Sequence, residues 1–361
     1  MQKEIGSNFW ISPTELEQGG QLGTPSEFGC VGSDYVWLST GRSALHYVLK
    51  TIEERNPQIN KIAILPPFTC HTVIEPFIEM DYQIKTYHIG LDLQASAEEI
   101  LSLVRETKAG IVLYHKYFGK DTIFDLDKVI CKIREEHAEI VEDCTQNLYS
   151  LSPKSDADYY VGSIRKWCGV PDGGFAVCRK GYFSNKPVLP DVTLQEAKKE
   201  ASIMKYNYLF NEEGSKADFL GKYKIAEAIL DSQSKIYTIS NLSAVIQSHL
   251  DVDTVRRKRQ RNYHEIESGI KGIEGIRTVF GEINGDEIPL YCPIYCDNRK
   301  EIQSLLVQHS VYAPVVWPKA ECCPPVDKDS DYIYDHILCI PIDQRYDIDD
   351  MQRVIDILKS K

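Results

Sequence analysis

The chain has 361 residues, 43% hydrophobic and 26% charged, with 41 Lys+Arg against 53 Asp+Glu and a formal net charge of -12. That length buries a sizeable core over about two domains without cross-links, and the acidic balance argues against nucleic acid as a partner. No apolar run reaches bilayer length, and the start MQKEIGSNFW lacks the basic and apolar regions of a secretion signal. With an odd number of cysteines, eleven, a reducing cytoplasm and no membrane are the expectation. Cys292 with Cys296, and Cys322 with Cys323, have no histidine pair nearby at ligand spacing, so no metal is expected.

Along the chain, apolar β-rich runs at 36–38, 61–65, 84–87, 111–114, 139–142 and 174–178 alternate with amphipathic stretches at 43–54, 73–80 and 125–137. Most of the runs are continuous, as in strands covered on both faces. Their order implies βαβ units and a doubly wound, mostly parallel sheet. Helical patterns at 201–210, 219–232 and 243–268 then replace strands. The basic run within the last, Arg256, Arg257, Lys258, Arg259 and Arg261, reads as a solvated helix face. A shorter α+β segment follows, strand-like at 288–296, helical at 298–309, strand-like at 311–316 and 337–342, and helical from 347. The expected architecture is α/β: a large domain over 1–246, with an N-terminal arm and a helical segment at 200–246, and a smaller C-terminal α+β domain over 247–361.

Ligands of parallel α/β sheets bind at the carboxyl ends of the strands, and the polar outliers fall there. In GSIRKWCGVPDGGFAV, Ser163 and Lys166 stand three apart. A partly desolvated lysine bonds covalently to an aldehyde cofactor, and a hydroxyl three residues earlier reaches a phosphate on the same ligand; the plain alternative is a surface lysine. In IVEDCTQN an apolar strand ends on Glu142 and Asp143, with Gln146 a short turn later. Asp143 suits a protonated pyridine nitrogen, which makes the ring an electron sink, or else it caps a helix. In VWLSTGRSALHYVL a strand and the turn Thr40-Gly41 lead into a helix whose first N–H groups, at Arg42 and Ser43, suit a phosphate; the alternative is an ordinary turn capped by Thr40. In ILPPFTCHTVIEPF, Phe68, Cys70 and His71 are candidates to lie on a flat ring, or to be core.

Taken in this order, these segments resemble the DegT/DnrJ/StrS family of aminotransferases that depend on pyridoxal 5′-phosphate (PLP). EIGSNFW, KYFG, VYAPVVWP and PIDQRY extend the resemblance over nearly the whole chain. It implies the aspartate aminotransferase fold, PLP fold type I. It implies that Lys166 holds PLP as a Schiff base and shuttles the proton, that Asp143 holds the pyridine nitrogen, and that Gln146 sits near the ring hydroxyl. Gly41, Arg42, Ser43 and Ser163 would take the phosphate, with Cys70 and His71 beside the ring. Family members that dehydrate sugars carry histidine where Lys166 stands, so the lysine favours transamination. The implied reaction moves an amino group, from glutamate, to a keto-sugar, nucleotide-linked, in amino-sugar or cell-surface polysaccharide biosynthesis. A homodimer with the active site at the subunit interface is implied as well.

This sequence departs from the family pattern at Arg42, where threonine is usual, and at Cys70, where an aromatic ring often stacks on PLP. The serine-to-lysine spacing is shorter than in many members. Near 236–238 the asparagine that a partner subunit usually supplies is missing, and Tyr237 is the substitute at hand. Lys116, Arg165 and Lys319 are candidates to meet a diphosphate. Two other readings stand beside the first: a PLP enzyme with a different substrate, and a non-catalytic regulatory protein that keeps the fold.

Overall fold

The computed structural model describes residues 3–233 and 235–361. Its main strands are β1 Asp34–Leu38, β2 Ile62–Leu65, β3 Gln83–Thr86, β4 Ile111–His115, β5 Glu139–Asp143, β6 Tyr159–Ser163, β7 Gly174–Cys178, β8 Ile276–Thr278, β9 Cys292–Cys296 and β10 Ile337–Ile340. Its main helices are α1 Gly41–Arg55, α2 His71–Glu79, α3 Ala97–Thr107, α4 Leu126–Glu135, α5 Val192–Tyr206, α6 Lys216–Asp231, α7 Asn241–Ser248, α8 Val252–Gly269, α9 Arg299–Gln308, α10 Lys328–His336 and α11 Ile348–Lys359. The chain divides into two compact units. The first takes in Ile52–Asp158 and Val252–Lys361 with the N-terminal residues through Ser7, and the second takes in Asn8–Thr51 and Tyr159–Asp251.

In the first unit, β5, β4, β2 and β3 lie side by side and all parallel, with Ala63 beside Ile111 and His115 beside Asp143. The runs IAIL and IVLYH supply the buried β2 and β4. Helices α2, α3 and α4 are the crossovers between successive strands, as parallel pairing demands. α3 starts where the Ser96 side chain accepts from Glu99 N at 3.4 Å, and α4 buries Val129, Ile130 and Ile133. Because the four strands run the same way, Phe68 to His71, His115 and Asp143 follow or end strands at one edge of the sheet. That is the carboxyl edge, where ligands of such sheets bind.

The same unit contains the antiparallel order β8, β9, β10. Its core joins Tyr263 and Ile266 of α8, Leu306 of α9, Leu338 and Ile340 of β10, and Met351 and Val354 of α11, together with Ile5. The basic run on α8 is not a solvated face throughout. Arg259 is 1% exposed and donates to the Leu290 and Pro289 carbonyls at 2.8 and 3.4 Å and to Gln344 Oε1 at 3.1 Å. Arg256 donates to the Tyr149 carbonyl at 3.0 Å. A guanidinium with three acceptors offsets its own desolvation, which a charge pattern in sequence does not show.

In the second unit, β7 runs antiparallel between β1 and β6, which leaves β1 and β6 running the same way, as a mostly parallel arrangement allows. Phe28, Trp37 and Phe175 cover it, with ring centroids 5.6 to 6.3 Å apart. The helical stretch expected over 243–268 is two helices. α7 ends at Ser248, where the Ser248 hydroxyl and His249 Nδ1 take the Val245 carbonyl at 2.8 and 2.9 Å. The chain passes from the second unit to the first just before α8 begins. The strand expected over 311–316 shrinks to Val311–Tyr312 and that over 288–296 to β9; Pro314 and Pro289 remove ladder donors at those places. Among the described residues, no helix is long and apolar enough to cross a membrane.

Candidate functional site

The residues singled out by sequence fall into two groups, one in each unit. In the second unit lie Gly41, Arg42, Ser43, Ser163, Lys166 and Tyr237; in the first lie Cys70, His71, Asp143 and Gln146.

Strand β6 ends on Ser163, and the chain enters a tight turn over Ile164–Lys166. Ser163 Oγ and Ile164 N donate to the Gly173 carbonyl at 3.1 and 3.2 Å, and Trp167 N donates to Ile164 O at 2.9 Å. These bonds set which way each side chain faces. Ile164 and Trp167 are fully buried, and Lys166 emerges exposed. The first residue of α1 comes close by: a Cβ built on Gly41 would lie 3.4 Å from Ser163 Cβ. Gly174 permits this approach, since a Cβ there would meet the Thr40 carbonyl at 2.3 Å.

The helix start differs in detail from expectation. Thr40 Oγ1 accepts from Ser43 N at 3.0 Å and lies 2.9 Å from Ser43 Oγ, so the Ser43 amide serves the cap rather than a ligand. Arg42 Nη2 donates to Asp231 Oδ1 at 3.1 Å, which turns its charge toward α6. The Tyr237 carbonyl accepts from Ser39 N at 3.0 Å, and Thr238 Oγ1 donates to the Trp37 carbonyl at 3.1 Å. Tyr237 therefore lies alongside the end of β1 in its own chain. Nearby, Asp172 Oδ2 accepts from Ser240 N at 2.9 Å, and Asp172 Oδ1 accepts from the Ser240 hydroxyl at 2.6 Å. Burial still pushes its carboxyl above the usual range.

Two residues near Lys166 carried no signal in sequence. Lys198 of α5 is buried and ion-paired with Glu227 of α6. Burial pushes its ammonium down to about 8, and repulsion from Arg165 and Lys166 adds to this against the pull of Glu227. Burial works to raise Glu227, but Lys198, Arg165 and Lys166 outweigh it and hold the carboxyl low. Of the three basic residues proposed to meet a diphosphate, Arg165 stands in this charged group. Lys116 is buried and paired with Asp121 at 3.3 Å, and Lys319 is paired with Asp331 at 2.5 Å.

In the first unit, the two adjacent carboxylates at the end of β5 differ. Glu142 is fully buried; its Oε2 accepts from Ser155 N at 3.0 Å and its Oε1 from Asn147 Nδ2 at 3.3 Å. Asp143 is half-buried, and its Oδ1 accepts from Thr145 N at 2.8 Å. No helix follows within reach of Asp143, so it is a turn residue rather than a helix cap. Gln146 Oε1 accepts from Phe118 N at 2.8 Å, while its Nε2 is buried with no hydrogen-bond partner. A buried donor in that state suits a ligand acceptor. Phe68 is core: it is fully buried against Tyr117, Trp317 and Tyr334. Cys70 is the half-buried N-cap of α2, and His71 begins that helix exposed. Of the three ring-facing candidates, Cys70 and His71 therefore remain.

Gly41, Ser163 and Lys166 combine a helix start without a Cβ, a hydroxyl and an exposed amine, which suits a phosphate and an aldehyde carbon. Asp143 and the unpartnered Gln146 amide suit the polar edge of the ring.

No protein-family model and no curated protein matches the sequence. Solved structures do match, and the fold is that of the PLP-dependent aminotransferases, fold type I. PseC of Helicobacter pylori, an aminotransferase involved in the biosynthesis of pseudoaminic acid, superposes with a TM-score of 0.71 at 14% identity, covering 99% of both chains. The sugar aminotransferase CalS13 of Micromonospora echinospora gives 0.68 at 16% identity, again over 99% of both. A DegT/DnrJ/EryC1/StrS aminotransferase of Brucella abortus gives 0.64 at 14% identity, over 96% of this chain and 92% of that one.

Proposed function

We propose that this chain is a PLP-dependent aminotransferase of the DegT/DnrJ/StrS type. It moves an amino group, from glutamate, to a keto-sugar carried on a nucleotide. The observation that carries the reading is the exposed Lys166 in the turn after β6, beside Ser163 and the Gly41 helix start, in a chain whose fold is shared along its length with sugar aminotransferases. Bound PLP supplies an electron sink for the carbon that loses or gains the amino group. Lys166 is the residue that would hold PLP covalently through its Nζ, and the same amine would take and return the proton as general base and acid. Asp143 would keep a proton on the ring nitrogen, and the Gln146 Nε2 amide would be a donor for the ring hydroxyl. The Gly41 amide would hold the phosphate, joined by Ser163 Oγ on turning its proton from the Gly173 carbonyl; Cys70 and His71 would be the residues beside the ring and Tyr237 the one at the phosphate end. In this reading 1–246 is the PLP-binding domain, 247–361 is the smaller domain, and the enzyme works as a homodimer in the cytoplasm.

Glutamate added to the purified, PLP-loaded protein should convert the aldehyde absorbance to that of the amine form, and a nucleotide-linked keto-sugar should restore it. If no amino donor produces the change, transamination is wrong.

A further inference from the structure

Eleven cysteines are distributed unevenly by exposure. Seven are buried, Cys131 is exposed, and the three half-buried ones are Cys70, Cys322 and Cys323. Those three gather in one place within the first unit. Tyr334 Oη lies 3.7 Å from Cys323 Sγ and accepts from the main-chain N–H of Thr69, the residue before Cys70, at 3.3 Å. One phenol oxygen thus touches the Cys323 sulfur and the backbone that presents Cys70.

The three thiols are not equivalent. Cys70 caps α2, and a helix N-terminus stabilises an anion. The Thr72 hydroxyl donates to its sulfur at 3.1 Å, and His71 Nδ1 lies 3.8 Å from the same sulfur. Cys322 sits in the opposite setting: burial first, then the charge of Glu75, push its thiol up.

We propose that Cys70 and Cys323 form a redox-sensitive thiol pair in which hydroperoxides oxidise Cys70 and Cys323 closes a disulfide. The Cys70 thiolate attacks a peroxide oxygen, so that an S–O bond forms and the O–O bond breaks. Sulfur is oxidised to the sulfenic acid, and the peroxide is reduced to water or an alcohol. The Cys323 sulfur then attacks Cys70 Sγ; the S–O bond breaks and its oxygen leaves as water. The net change for hydrogen peroxide is two thiols to one disulfide with two waters, reversed by a dithiol. Closing the bond fixes the first turn of α2, which carries the Cys70 and His71 given above to the cofactor, and so makes PLP retention depend on redox state. That consequence rests on the proposed function; the disulfide does not.

The test is peptide mapping by mass spectrometry, without reduction, of the full chain treated with hydrogen peroxide and then alkylated. The expected product joins the Cys70 peptide to the peptide bearing Cys322 and Cys323. It persists in Cys322→Ser and is lost in Cys323→Ser, where a 1,3-diketone traps Cys70 as sulfenic acid. Absence of the cross-link while Cys131 oxidises, or its loss in Cys322→Ser instead, overturns the proposal. PLP retention through dialysis is then compared between reduced and cross-linked protein. Weaker retention that a dithiol restores is expected, and equal retention overturns the regulatory consequence. Failure of the reduced protein to hold PLP at all sinks the proposed function and leaves the mapping result to decide the thiol pair.

Discussion

The first residue of α1 and the last residue of β6 meet without a side chain between them: a Cβ on Gly41 would sit 3.4 Å from Ser163 Cβ. That is ordinary contact distance, so Gly41→Ala fits and a larger side chain intrudes on the gap assigned to phosphate. Gly41→Leu should weaken PLP retention by about 10- to 100-fold, the loss of one charge-assisted hydrogen bond or so. Gly41→Ala should stay within a few fold, and neither should lower the melting temperature much. Equal PLP retention by the two variants, measured by equilibrium dialysis, would place the phosphate elsewhere.

Glu142 and Asp143 are neighbours with opposite assignments, and parallel amide substitutions separate them. Glu142→Gln disturbs a buried acceptor of three donors, two from Ser155 and one from Asn147, and should cost about 1–3 kcal/mol in urea unfolding. Asp143→Asn keeps an acceptor for Thr145 N and should leave stability within about 0.5 kcal/mol. It should still slow transamination by at least about 100-fold, because a neutral amide does not hold a proton on the ring nitrogen. A destabilised but fully active Asp143→Asn protein would contradict its role.

Arg259 offers a stability test away from the site. Burial pushes its guanidinium down to about 10, and it binds carbonyls of Pro289 and Leu290 and the side chain of Gln344. Arg259→Leu strands those acceptors and should cost about 3–5 kcal/mol. A loss under about 1 kcal/mol would restore the solvated-face reading.

His115, beside Asp143 in the β4–β5 register, gives a pH dependence with a clear sign. Burial pushes its imidazole down to about 3, with a weaker opposing pull from the Phe68 carbonyl. The unfolded chain takes up this proton near pH 6.5 and the folded chain does not, so stability falls as pH drops from about 6.5 toward 3. Ordinary carboxylates barely titrate between pH 6.5 and 5. Over that window wild type should lose about 1.5 kcal/mol relative to His115→Asn. Parallel stability curves for the two proteins would show that His115 is protonated in the fold.

Much of the parallel unit was legible because β2, β4 and β5 are buried on both faces and read as short apolar runs. β6, which carries Ser163, was not. Its YYVGS has two tyrosines and a glycine; Gly162 is required by the Phe175 ring, whose edge would lie 2.4 Å from a Cβ there, and that contact is invisible along the chain. Lys198 and Glu227 escaped for a similar reason: they sit on different helices, and only packing brings them together in the field of Lys166. Phe68 read equally as a ring-stacking residue and as core, and burial decides for core. The Thr40 cap and the Arg42–Asp231 pair likewise depend on side-chain directions that motif spacing does not carry.

The most direct test of the central claim is the absorbance of the PLP-loaded protein on adding glutamate, run beside Lys166→Ala. Wild type should pass from the aldehyde form to the amine form, and Lys166→Ala should show neither the lysine-linked band nor the conversion. A wild-type spectrum unmoved by glutamate and every other amino donor, or a Lys166→Ala spectrum identical to wild type, would contradict it.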